Sequence, residues 1–177
     1  LIAAAGWLFS KYALQEIPPF TFLALRFLIA SSVLAIFFTS QLRSITKKGA
    51  FQSVLTGAVL GITLLFWVVG LYRTTSVGES AFIVSLTVLV VPLVGWFIFA
   101  TKIQASILVG VVPAMAGLFL LTVQNGFRFE QGQWYFIAAT FGFALHLNLS
   151  SHFVGHLPVV ANTAIQMITV GFIAAVA

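Results

Sequence analysis

Arg26 stands inside PPFTFLALRFLIASSVLAIFF, an almost wholly apolar stretch from Pro18 to Phe38. A guanidinium is costly to place in hydrocarbon, so its position calls for a function or a special local arrangement. It lies eight residues past Pro18, about 12 Å along a helix at about 1.5 Å per residue. There it can contact an anion or form a gating pair in a cavity. Equally, it can snorkel to the outer interface and bond loop carbonyls. Glu79 precedes the apolar run Ser80 to Phe99. The helix dipole favours a carboxylate there by about 0.3–1 kcal/mol. The same group could serve as counter-ion to Arg26, proton-coupling site or contact for an amine substrate. His146, Asn148, Ser150, Ser151 and His152 cluster in a third apolar region. Asn148, Ser151 and His152 have i, i+3, i+4 spacing and share a helix face. That stripe can line a wet cavity, with histidine able to titrate, or can hold helices together by hydrogen bonds. Asn162 and Gln166 share a face in the same way. His152 and His156 have the spacing of a metal pair, but no third ligand lies nearby and no metal site is expected.

The positions of these groups make sense only in lipid. The chain of 177 residues is 61% hydrophobic and 6% charged, with a mean hydropathy of +1.15. A soluble domain would expose large apolar patches at that composition. The net charge of +5 comes from Lys and Arg spread thinly between apolar runs, which suits membrane topology and not a nucleic-acid footprint. Cysteine and Asp are absent, and Glu occurs at 16, 79 and 130. No metalloprotease, serine-hydrolase or nucleotide-binding signature occurs. The chain reads as neither an enzyme nor a cofactor protein.

A spanning helix needs about 20 mostly apolar residues. The runs are Leu1–Leu14, Pro19–Ser40, Phe51–Leu71, Ser80–Phe99, Ala105–Val123, Gly132–Phe153 and Val159–Ala177. The expected fold is an all-α polytopic membrane protein with seven spans. The first and last look clipped, so the chain reads as a fragment. Pro18, Pro19 and Pro158 suit helix starts, whereas Pro92 and Pro113 should kink their spans. Arg43, Lys47, Lys48 and Lys102 fall on one side, which the positive-inside rule makes cytoplasmic.

Shifting the chain by 140 residues lays AAGWLFSKYALQEIPPFTFLALRF on ALHLNLSSHFVGHLPVVANTAIQM. Ala4 meets Ala144, Ser10 meets Ser150, Pro18 meets Pro158, Ala24 meets Ala164 and Arg26 meets Gln166. The offset is five helices. Because five is odd, the second copy enters the membrane upside down. Inverted repeats of this kind build transporters that hold substrate near the midplane between halves. Residues 1–125 then form a first five-helix repeat, and 126–177 the first two helices of a truncated second. Ten spans are expected in all. Arg26 and Gln166 would line a pseudo-symmetric pocket.

The stretches PPFTFLALRFLIA and LYRTTSVGESAFIVSLTVLVVPLVGWFIF resemble the drug/metabolite transporter superfamily, specifically EamA-type permeases. That resemblance implies ten helices as five plus five, both termini cytoplasmic, and a central cavity. It also implies that first- and third-helix aromatics, Trp7 and Trp67, approach that cavity. Otherwise both Trp belong to an interfacial aromatic belt. The expected function is a secondary transporter, an exporter of small metabolites or drugs, in a bacterial inner membrane. A nucleotide-sugar or sugar-phosphate antiporter is the alternative within the superfamily. A non-transporting membrane subunit or scaffold is the alternative outside it. The expected partners are a small-molecule substrate (amino acid, metabolite or drug-like) and the bilayer. Proton or exchange coupling and a homodimer stand open, and no nucleic acid is expected.

Overall fold

The computed structural model describes residues 2–100 and 131–177, with isolated helical positions at 110, 113, 116, 117 and 120. The rest of the expected fifth span and Lys102 lie outside the described residues; Pro113 is one of these helical positions. The described residues form helices and no strand. They are α1 (Ile2–Glu16), α2 (Pro19–Phe37), α3 (Thr39–Ser44), α4 (Lys47–Arg73), α5 (Val77–Ser85), α6 (Thr87–Phe99), α7 (Gln131–Leu149) and α8 (Val159–Val176), with a π turn at Ser150–Val154 after α7. The α2, α4, combined α5–α6 and α8 segments are long and apolar enough to cross a membrane. The chain is a polytopic integral membrane protein.

Local sequence sets several helix ends. Pro18 and Pro158 take extended backbone just before α2 and α8, with φ −54° and −56°. Proline cannot continue a helix but suits its entry. The Thr46 hydroxyl accepts from Gly49 N–H at 3.1 Å and starts α4 at Lys47, before the apolar run expected from Phe51. At 27 residues, α4 is about 40 Å long, enough to pass through the hydrocarbon core with its charged ends beyond it.

The helix of the fourth span is interrupted upstream of Pro92. Pro92 lies within α6, and the break comes at Leu86. Ser85 Oγ donates to Phe82 O and Thr87 Oγ1 to Val84 O, both at 2.6 Å. The Leu86 N–H is shared between Phe82 O and Ile83 O. Hydroxyls that bond backward onto the helix compete with its amide ladder and bend it.

Helix α4 is the hub, with α7 and α8 packed along it. Helix α2 packs mainly on α8, while α5 and α6 pack on α7. A methyl group built on Gly57 would meet the Gln166 backbone, one on Gly61 would meet Ile173, and one on Gly49 would meet Leu157. Residue numbers rise together along this seam, so α8 runs parallel to α4. Gly70 meets Phe136 and Thr63 meets Gly142, so α7 runs antiparallel to α4. Trp7 meets Trp67 and Lys11 reaches Leu71 O, so α1 runs parallel to α4 and opposite to α7. Its successor α2 returns antiparallel to α4 and α8. The repeat-aligned pairs α1/α7 and α2/α8 are therefore oppositely directed. The apolar core of Leu14, Leu23, Trp67, Leu71, Ile83 and Phe136 fills the half nearest Arg73.

Candidate functional site

Pro18 starts α2, and two turns later the helix presents Leu23, Arg26 and Phe27 toward α1 and α4. Leu23 is fully buried and fixes that face in the core. Arg26, Phe27, Trp7, Leu64, Trp67 and Phe143 line a cavity of about 240 Å³, with Val84 from α5 closing its wall. Trp7 meets Trp67 edge-on, with ring centroids 5.1 Å apart and planes at 80°. Trp7 also stacks on Phe136 at 5.7 Å. These contacts hold Trp7 in an arrangement favoured by the ring quadrupoles. Three residues singled out in the sequence, Trp7, Arg26 and Trp67, thus converge on one site, although both Trp could have served an interfacial belt.

Arg26 is exposed at this site. Its Cζ lies 5.9 Å from the Phe27 ring centroid. Among the described residues it donates no hydrogen bond to a carbonyl and pairs with no carboxylate. The expected alternatives of a helix-end contact to loop carbonyls and an ion pair with Glu79 are therefore not formed within them. Glu79 Oε2 instead accepts from Gln133 Nε2 at 2.7 Å, joining α5 to α7.

Lys11, in contrast, binds backbone carbonyls at a helix end. Its Nζ donates to Leu71 O at 2.8 Å, Tyr72 O at 3.3 Å and Thr74 O at 2.6 Å. An ammonium suits the negative end of α4, where the last carbonyls lack intrahelical donors. Local spacing could not reveal this role, because the acceptors lie 60 to 63 residues away.

The other predicted residues form a second, separate cluster. Gln166 Nε2 donates to Thr56 Oγ1 at 3.0 Å and Asn162 Oδ1 at 3.1 Å. His146 Nδ1 lies 3.1 Å from Thr56 O, which assigns the Nδ1–H as donor. Its Nε2 lies 3.5 Å from Ser150 Oγ. Thr56 thus joins α7 and α8 to the hub, and sequence analysis had not singled it out. Gln166 is in this network and not in the Arg26 cavity. Asn148 Nδ2 donates to Val91 O and Ala144 O, both at 2.9 Å. His152 packs on Phe99 at 5.1 Å. Asn148 and His152 consequently both face α6. No three His, Asp or Glu side chains gather among the described residues.

Residues 1–123 match the EamA-like transporter family. The chain belongs to that family. The match takes in the elements that contribute every cavity residue except Phe143. The chain is also similar to a protein of Archaeoglobus fulgidus named "Uncharacterized transporter", with 31% identity over 132 residues. That similarity covers 75% of this chain and 40% of the relative. No solved structure matches the chain. The chain thus spans less than half the length of the curated relative it matches.

Proposed function

We propose that this chain is part of a secondary active exporter of small metabolites or drug-like solutes, and that its Arg26 cavity holds an anionic group of the cargo. The observation that carries this reading is the guanidinium itself. It sits in a spanning helix beside Trp7 and Trp67, with no protein acceptor among the described residues. A buried or interfacial cation in a membrane protein ordinarily has a partner. A transported anion supplies one transiently, while the aromatic walls cover the apolar part of the cargo.

Alternating access follows from two oppositely directed halves rocking about the cavity. Residues 1–125 contribute the first half and 126–177 begin the second, in line with the opposed directions of α1/α7 and α2/α8. The end carrying Arg43, Lys47 and Lys48 faces the cytoplasm of a bacterial inner membrane. A proton gradient or solute exchange drives the cycle. The test is flux in vesicles containing the full-length protein, screened with amino acids and drug-like solutes with and without a pH gradient. Wild type moves an anionic or zwitterionic solute, Arg26→Gln loses at least tenfold, and Arg26→Lys keeps part of the rate. Flux indifferent to Arg26→Gln, or absent for every solute, rejects the proposal.

A further inference from the structure

A second cavity opens at the Arg73 end of the hub. Its volume is about 420 Å³, and Phe20, Ile62, Phe66, Val69, Arg73 and Tyr135 line it. Positions 62, 66, 69 and 73 recur at helical spacing, so the groove follows one face of α4 for about 16 Å at 1.5 Å per residue. Ile62 is 53% exposed and Phe66 41%. Among the described residues the groove is uncovered along this face, and it ends on a charge. Arg73 Nη1 donates to the Tyr135 hydroxyl at 3.0 Å, and its Cζ lies 5.2 Å from the Tyr135 ring centroid. The ring and hydroxyl fix the guanidinium at the groove mouth. Its other N–H donors meet no acceptor among the described residues.

We propose that this groove binds one anionic phospholipid. The acyl chain lies along Ile62, Phe66 and Val69, and the phosphate accepts hydrogen bonds from Arg73. Charge complementarity selects this occupant. Arg73 is the last residue of α4, at headgroup depth, and guanidinium matches phosphate in a bidentate fork. A neutral apolar segment would leave those donors without an acceptor. The site is distinct from the Arg26 cavity and does not depend on transport.

Native mass spectrometry of the full-length protein with phosphatidylglycerol and phosphatidylcholine of identical chains tests the site. Wild type retains phosphatidylglycerol about fivefold better, the preference expected from one basic residue. Arg73→Gln removes the preference. Arg43→Gln, an exposed cation on α3 at the opposite end, leaves it intact. Glycerol 3-phosphate, which lacks acyl chains, does not displace the lipid. Equal retention of both lipids, an unchanged preference in Arg73→Gln, or displacement by glycerol 3-phosphate overturns the proposal. In Ile62→Trp, the fluorescence added over wild type is quenched by acyl-brominated phosphatidylglycerol. No quenching means that protein covers the groove, and this too overturns it.

Discussion

Gly57 and Gly61 lie one turn apart on α4, yet a methyl group added to each meets a different obstacle. At Gly57 it would stand 2.9 Å from Gln166 Cα and 3.2 Å from Gln166 O. Backbone there cannot yield without separating α4 from α8. At Gly61 the nearest atom is Ile173 Cδ1 at 2.9 Å, the free end of a side chain that can rotate. Gly57→Ala is expected to cost about 1–3 kcal/mol, the usual range for overpacking. Gly61→Ala stays near neutral, because about 1 kcal/mol of helix propensity offsets the smaller strain. Unfolding in mixed detergent micelles measures both, and equal costs would contradict this account of the seam. Gln166→Leu makes a second residue-scale test. It removes the bonds to Thr56 and Asn162, while the Thr56 hydroxyl still has Gln52 O and Ser53 O as acceptors. The expected loss is about 0.5–2 kcal/mol, as for other interhelical bonds in membranes, read in the same unfolding experiment.

At the scale of elements, the bend in the fourth span separates two physical causes. Proline removes an amide donor and crowds the preceding turn, which made Pro92 the expected site. The hydroxyls of Ser85 and Thr87 act on the ladder further upstream, where Leu86 shares its N–H between two carbonyls. The chain contains no cysteine, so spin labels at Val77→Cys and Phe97→Cys meet no competing thiol within it. A straight helix would hold their backbones about 30 Å apart. Replacing Ser85 and Thr87 together by Ala is expected to lengthen the measured distance toward that value. Pro92→Ala leaves it unchanged. The reverse pattern would return the bend to the proline.

At the scale of the whole molecule, α1 is fastened to the hub at two places along one side. Trp7 packs on Trp67 and Phe136, and one turn later Lys11 caps the end of α4. Helix α1 packs on α4 and α2 and touches α7 through Trp7 and Phe136, and these fastenings hold one wall of the Arg26 cavity. Lys11→Met is expected to lower stability by about 1.5–3 kcal/mol, as for hydrogen bonds to a charged group. It also shifts tryptophan emission to the red as Trp7 gains exposure. Lys11→Arg, which keeps a cation and its donors, recovers most of both. An unchanged emission spectrum in Lys11→Met would mean that the lysine does not hold the wall.

The sequence by itself determined the solvent, the helical class and the placement of the described spans, because apolar run length is a local property set against a bilayer of fixed thickness. It also marked Arg26, since one charge in an apolar run stands out without any knowledge of its neighbours. Pro18 and Pro158 announced the starts of α2 and α8 for the same local reason. Only the tertiary structure decided which polar groups meet. Arg26 met Trp7 and Trp67, a convergence that family resemblance had suggested and spacing had not. Gln166 joined Thr56, a partner 110 residues away, and Glu79 joined Gln133 in place of Arg26. Lys11 became the cap of another helix, through acceptors 60 to 63 residues away. Helical spacing fixes which residues share a face. The helix that face meets depends on packing across the whole bundle.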